Sequence, residues 1–256
     1  MDLGIKEKRA LVLGASRGLG RAIAQALAAE GAVVFAAARS VDKISAYADA
    51  ADTIHAVELD LGQIDQVDRV VDGLIKDGGV DIIVNNGGGP PPGAAQTAER
   101  AAWLQHFEAM AANLFHLNAR LLPMMKERGW GRIISITSSG VEQPIPNLAL
   151  SNGIRSAVVG WSKTLANEVA GDGITVNVVM PGRIHTQRVD ELDAAAAKRT
   201  GADVAEVAAK SRRTIPAGRY GKPEEFADVV TFLASARAGY VTGSKIRIDG
   251  GSIKSI

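Results

Sequence analysis

The stretch Arg9-Ala10-Leu11-Val12-Leu13-Gly14-Ala15-Ser16-Arg17-Gly18-Leu19-Gly20 decides the fold. Arg9 to Leu13 is a short apolar run of strand length, and Gly18 to Glu30 carries Leu19, Ile23 and Leu27 one helical turn apart. Strand, tight glycine turn and helix, in that order, open an α/β sheet of Rossmann type. Gly14 permits the turn, Gly18 lets backbone approach a diphosphate, and Gly20 lets the helix lie close to the strand. The start of that helix presents unpaired N–H groups and positive partial charge, so a dinucleotide phosphate is expected there, with Ser16, Arg17 and Leu19 completing the turn. A helix cap without a ligand is the plainer alternative.

Working outward, the same alternation repeats. Strands are expected at Arg9 to Leu13, Ala32 to Ala38, Ile54 to Glu58, Asp81 to Val84, Arg132 to Ile136, Thr175 to Val179 and Lys245 to Ile248. Helices are expected at Gly18 to Glu30, Asp65 to Lys76, Trp103 to Arg128, Leu150 to Ala170 and Pro223 to Ser235. Short Val- and Ile-rich runs between Ala-rich helical segments predict a doubly wound parallel sheet of about seven strands, helices on both faces, in a single domain over 1–256. Arg183 to Pro216 interrupts the alternation with a run dense in Ala and charge, and reads as a helical lid over a pocket at 183–216.

Composition narrows the ligand. With 29 Lys and Arg against 28 Asp and Glu, the net charge of +1 supplies no field for nucleic acid or an acidic membrane. The absence of Cys rules out disulfides, thiolate metal sites and a Cys nucleophile, and fits a reducing cytoplasm. No motif calls for a metal. No signal segment fits before the first strand and no run reaches ~18 apolar residues, so a soluble, unexported chain acting on a small molecule is expected. The end of the second strand sets the nucleotide preference. An acidic residue there would bind a ribose 2′-OH and repel a 2′-phosphate, whereas this chain has Arg39 and Ser40, with Arg17 and Ser16 in the glycine turn. Two guanidiniums and two hydroxyls suit a phosphate, so NADP(H) is expected over NAD(H).

The glycine spacing resembles that of the short-chain dehydrogenase/reductase family, in particular its 3-oxoacyl-ACP-reductase-like members, and the resemblance extends through Asp60 in Leu59-Asp60-Leu61, Asn85-Asn86-Gly87-Gly88, Gly131-Arg132-Ile133-Ile134, Ser138, Pro181-Gly182, Thr186 and Asp249-Gly250-Gly251. It implies that Asp60, beside Leu61, reaches the adenine. It also implies that Asn85, Asn86, Gly87 and Gly88 lie along the riboses, and that Pro181, Gly182, Ile184 and Thr186 meet the nicotinamide carboxamide. Asp60 capping a strand and the Asn pair stabilising a turn are the plainer alternatives. Assembly as a tetramer or dimer through the two long helices is implied by the resemblance alone.

At the catalytic end the chain departs from that family. The pattern joins Ser, Tyr and Lys, with an Asn on the preceding helix completing a proton relay. Ser138 is kept, but Ser151 stands where Tyr is expected, Arg155 where Lys is expected, and Met110 where the Asn falls; Asn113, one turn on, is a partial substitute. Arg155 is expected to act on the cofactor ribose and on developing negative charge without shuttling protons. His185 is a candidate acid and Arg183 a candidate clamp for a substrate carboxylate. The run Gly87 to Gly93, with three prolines, is expected to wall the pocket. Trp103, Trp130 and Trp161 read as core or interface anchors. Two functions follow: an NADP(H)-dependent oxidoreductase acting on a carbonyl, alcohol or imine, or a catalytically inactive NADP(H)-binding protein serving as sensor or partner subunit.

Overall fold

The computed structural model describes residues 1–48 and 53–256. The glycine stretch forms strand β1 (Arg9–Leu13) and helix α1 (Gly18–Ala29), and the pattern continues as β2 (Val33–Ala38), α2 (Val41–Ala48), β3 (Ile54–Glu58), α3 (Ile64–Lys76) and β4 (Ile82–Asn85). The second half runs α4 (Arg100–Phe107), a π turn (Glu108–Ala112), α5 (Asn113–Glu127), β5 (Gly131–Ile136), α6 (Ala149–Val169), β6 (Ile174–Pro181), α7 (Gln187–Thr200), α8 (Val204–Arg213), α9 (Pro223–Leu233) and β7 (Lys245–Ile248). All seven strands join one parallel sheet in the order β3-β2-β1-β4-β5-β6-β7. The order reverses between β1 and β4, and a ligand crevice opens at the carboxyl ends of strands where such a reversal occurs.

Strand alternation splits the core in two. On β1, Ala10 and Val12 face one side with Ile23 and Leu27 of α1, Ile44 of α2, and Phe226 and Val230 of α9. Leu11 and Leu13 face the other, with Val67 and Val71 of α3, Leu117, Leu121 and Met125 of α5, and Ala166 of α6. A third, smaller cluster joins Ala111 of the π turn to Leu150, Ile154 and Val158 of α6, with Trp103 and Met110 against it.

Two features differ from the sequence expectation. Helix α2 was not foreseen: its eight residues bury Ile44, Tyr47 and Ala48 and leave the others half-buried or exposed, too short a window for periodicity to stand out. The single helix expected over Trp103 to Arg128 is divided by the π turn at Glu108–Ala112, which adds one residue to a turn and rotates everything after it. Met110 thereby packs with the apolar side chains of α6. The segment between Arg183 and Pro216 is helical, as α7 and α8.

Candidate active site

The glycine turn sits at the end of β1, tied to its neighbours through backbone and one phenol. Ala15 N–H donates to the Ala37 carbonyl of β2 at 3.1 Å, and Tyr47 of α2 donates its hydroxyl to the Ala15 carbonyl at 2.8 Å. Gly14 has φ of 62°, and a Cβ there would lie 2.8 Å from Asn86 Nδ2, so any side chain would be both strained and crowded. At Gly20 a Cβ would run into the Gly14 carbonyl. Asn86 Nδ2 donates to the carbonyls of Leu13 at 3.1 Å and Gly14 at 3.4 Å, so its side chain braces the turn from β4. Asn85 faces the other way. It is 1% exposed and donates to Asn118 Oδ1 at 3.3 Å and Ser135 Oγ at 3.1 Å.

The remaining cofactor candidates gather around this turn. Arg39 is exposed at the end of β2 and forms no ion pair among the described residues; Ser40 follows it, half-buried. Asp60 accepts from Gly62 N–H at 2.9 Å, an Asx turn at the end of β3, and Leu61 lies against Gly87. Gly88 has open space around it. Gly182 N–H donates to the Ile248 carbonyl at 2.9 Å, and a Cβ on Gly182 would meet Asp249, so Pro181-Gly182 is the seat of the Asp249-Gly250-Gly251 turn. Ile184 is 5% exposed, and Thr186 rests on the glycine turn, its Cγ2 3.6 Å from where a Gly18 Cβ would be. Arg17 reaches α7, where its Nη1 donates to Glu191 Oε1 at 3.2 Å. That partner lies 174 residues away, and no sequence signal announced it.

A second group sits where β5 hands over to α6. Ser138 Oγ accepts from Gly140 N–H at 3.1 Å, which leaves its own proton to donate. Ser151 and Arg155 lie four residues apart on the first turns of α6, on one face, where the helix start adds positive partial charge. Arg155 Nη1 donates to the Ile136 carbonyl at 3.0 Å, and its Nη2 approaches Gly89 of the glycine-proline loop. Loss of water around the guanidinium pushes its pKa down to about 10, so the cation persists at neutral pH. Asn152, which sequence reasoning passed over, holds the loop before α6: its Nδ2 donates to the Ile145 carbonyl at 2.9 Å. Its position beside Ser151 was the available clue.

Three expected participants are engaged elsewhere. Asn113 is 5% exposed and donates to the Leu61 carbonyl at 2.7 Å, because the π turn directs it to the loop after β3. His185 is exposed, with Nε2 3.1 Å from Asp190 Oδ1 and its ring 6.1 Å from that of Tyr220. Arg183 is paired with the buried Asp193 at 2.9 Å, and Tyr220 donates its hydroxyl to the same carboxylate at 2.7 Å, so no free clamp remains there. Trp103 lies against Gly153, Trp161 stacks on Phe115 at 4.6 Å, and Trp130 carries the Lys8 and Arg132 cations on its ring.

An open parallel sheet whose strand order reverses beside a glycine turn at the start of α1 is the architecture of the nicotinamide-dinucleotide oxidoreductases. Residues 14–252 match the family model described as Enoyl-(Acyl carrier protein) reductase. The chain is 35% identical over 248 residues to 3-oxoacyl-[acyl-carrier-protein] reductase FabG of Haemophilus influenzae, covering 95% of this chain and 97% of that one. Its fold superposes on L-sorbose reductase from Gluconobacter frateurii, solved with NADPH and L-sorbose, at a TM-score of 0.94 and 33% identity over the whole of both chains. It also superposes on YwfH, an NADPH dependent reductase involved in bacilysin biosynthesis, at a TM-score of 0.91 and 28% identity over 98% of this chain and 100% of that one. The chain belongs to the short-chain dehydrogenase/reductase family of NAD(P)-dependent oxidoreductases. Among the described residues no helix is long and apolar enough to cross a membrane.

Proposed function

We propose that this chain is an NADP(H)-dependent oxidoreductase that transfers hydride to or from a small carbonyl, alcohol or imine, with Ser151 and Arg155 at the positions of the family's Tyr and Lys. One observation carries this reading: the Arg155 guanidinium, anchored on the Ile136 carbonyl, lies beside the glycine loop and on the same helix face as Ser151. When bound, the nicotinamide supplies the hydride. The chain's own residues do the rest. Gly14, Gly18 and Gly20 with the start of α1 receive the diphosphate, Arg39, Ser40, Arg17 and Ser16 the 2′-phosphate, and Asp60 the adenine. Ser138 donates to the substrate oxygen or nitrogen, and Arg155 with the start of α6 stabilises negative charge developing there. Arg155 holds its proton throughout, so protonation comes from water or the substrate needs none, as an iminium would. The segment at 183–216 serves as the lid, and the chain works as a cytoplasmic homo-oligomer, the exposed Leu104 and Phe107 of α4 lying beside the helices through which the family resemblance pairs subunits.

A second reading, an NADP(H)-binding protein without turnover, is favoured by where the phenols are. Tyr47 is bound to the Ala15 carbonyl, Tyr220 to Asp193, and Tyr240 is fully exposed, so none stands by Ser138 or Arg155. The test is to follow NADPH absorbance over ketones, 3-oxoacyl thioesters and cyclic imines, with the parent and the double variant Ser151→Tyr with Arg155→Lys. Turnover by the parent that Ser138→Ala abolishes supports the oxidoreductase. Tight NADPH binding, no parent turnover, and ketone reduction gained by the double variant supports the non-catalytic reading.

A further inference from the structure

We propose that Glu191 of α7 sets how strongly this chain prefers the phosphorylated cofactor, by competing with the 2′-phosphate for Arg17 and coupling that competition to the docking of α7. The inference rests on the reading that NADP(H) binds at the glycine turn, and goes beyond it by assigning a residue outside the motif. Arg17 is one of two guanidiniums available to a 2′-phosphate, and it is the one already engaged: Glu191 Oε1 lies 3.2 Å from its Nη1. Glu191 is itself bracketed, with Arg188 Nη1 3.6 Å from its Oε2. The carboxylate therefore neutralises two cations at the edge of the site.

Both partners of the Arg17–Glu191 pair are about half exposed, at 53% and 40% of their side chains. A solvent-screened pair of that kind is weak, and a phosphate with nearly two negative charges and three acceptor oxygens displaces it. A bare 2′-OH does not. The second half of the geometry links this exchange to α7. Thr186, the N-cap of α7, rests on Gly18, and the Arg17–Glu191 pair ties the next turn of the helix to the same loop. If docking of α7 through Glu191 opposes 2′-phosphate binding, linkage requires the 2′-phosphate to loosen α7 by the same factor. Arg183–Asp193 and Tyr220–Asp193 keep the rest of α7 in place when the Arg17 contact is released.

The test is calorimetric titration of the parent and Glu191→Gln with NADPH and with NADH, together with amide hydrogen exchange across residues 187–200 in the free and both bound states. Glu191→Gln binds NADPH about twofold to fivefold tighter, the range such a pair commands, and leaves NADH affinity unchanged. In the parent, α7 amides exchange faster with NADPH bound than with NADH bound, and in Glu191→Gln that difference disappears. Equal tightening toward both nucleotides, unchanged NADPH affinity, or identical α7 protection by the two nucleotides in the parent overturns the inference alone. A parent that binds no NADPH at all overturns the cofactor reading, and this inference with it.

Discussion

At the scale of single residues, Arg155 separates this site from one built around a lysine. Its cation is held between the Ile136 carbonyl and the glycine loop, and burial lowers its pKa to about 10. On the proposed reading the protonated form is the useful one, so activity is expected to stay level from neutral pH and to fall only as pH rises through the lowered value. Arg155→Lys starts from an ordinary pKa of ~10.4 and meets the same desolvation, so its alkaline limb moves to lower pH. Arg155→Ala lowers kcat/KM by about 10²–10³ if the guanidinium faces charge made only in the transition state. Measured pH–rate profiles of the three proteins check this; superimposable profiles for the parent and Arg155→Lys would sink it. Ser138 was legible because it stands in the family's order. The occupation of Arg17 was not, since Glu191 is distant in sequence and nothing in Gln187 to Thr200 distinguishes it from other surface charges.

At the scale of elements, helix ends hold the surfaces around the site. Helix α9 starts at Pro223, and Glu225 accepts from the Lys222 N–H at 2.7 Å while Arg219 grips it with two nitrogens at 2.6 and 2.7 Å. Those donors, Arg219 first, pull the Glu225 pKa down to about 2. A carboxylate lowered by folding contributes stability above the ordinary Glu range, and that contribution is lost as pH falls through about 2. Glu225→Gln is therefore expected to lower the melting temperature slightly at neutral pH, since the pair is solvent-screened, with the gap to the parent closing as pH falls from the ordinary Glu range to about 2. Thermal unfolding across that range measures it, and a gap that stays constant with pH would refute it. The same scale explains where Asn113 points. Helical spacing places it one turn beyond Met110, but the π turn changes the phase, and over so short a stretch a one-residue phase shift does not stand out in hydrophobic periodicity.

At the scale of the whole molecule, the strand order reverses between β1 and β4, and the proposed cofactor site is at the carboxyl ends of those strands. A ligand that binds only the folded chain stabilises the entire fold through its binding energy. At a concentration ~100-fold above Kd, NADPH is expected to raise the unfolding free energy by about 2.7 kcal/mol, or the melting temperature by roughly 5–10 °C. Scanning calorimetry with and without NADPH reports this directly. A melting temperature indifferent to NADPH but raised by NADH would reverse the assignment of Arg39 and Arg17.

The sequence by itself determined the parallel sheet with helices on both faces and the family to which the chain belongs. Strand alternation, helical period and glycine spacing are local properties written into consecutive residues, and they survive any detail of packing. Only the tertiary structure decided which polar groups remain free. Asn85 is spent on Asn118 and Ser135, Asn113 on Leu61, His185 on Asp190 and Arg183 on Asp193, while Ser138 keeps a proton and Arg39 keeps its charge unpaired among the described residues. Availability depends on contacts between segments far apart in the chain, and a side chain's type carries no record of the partner that folding brings to it.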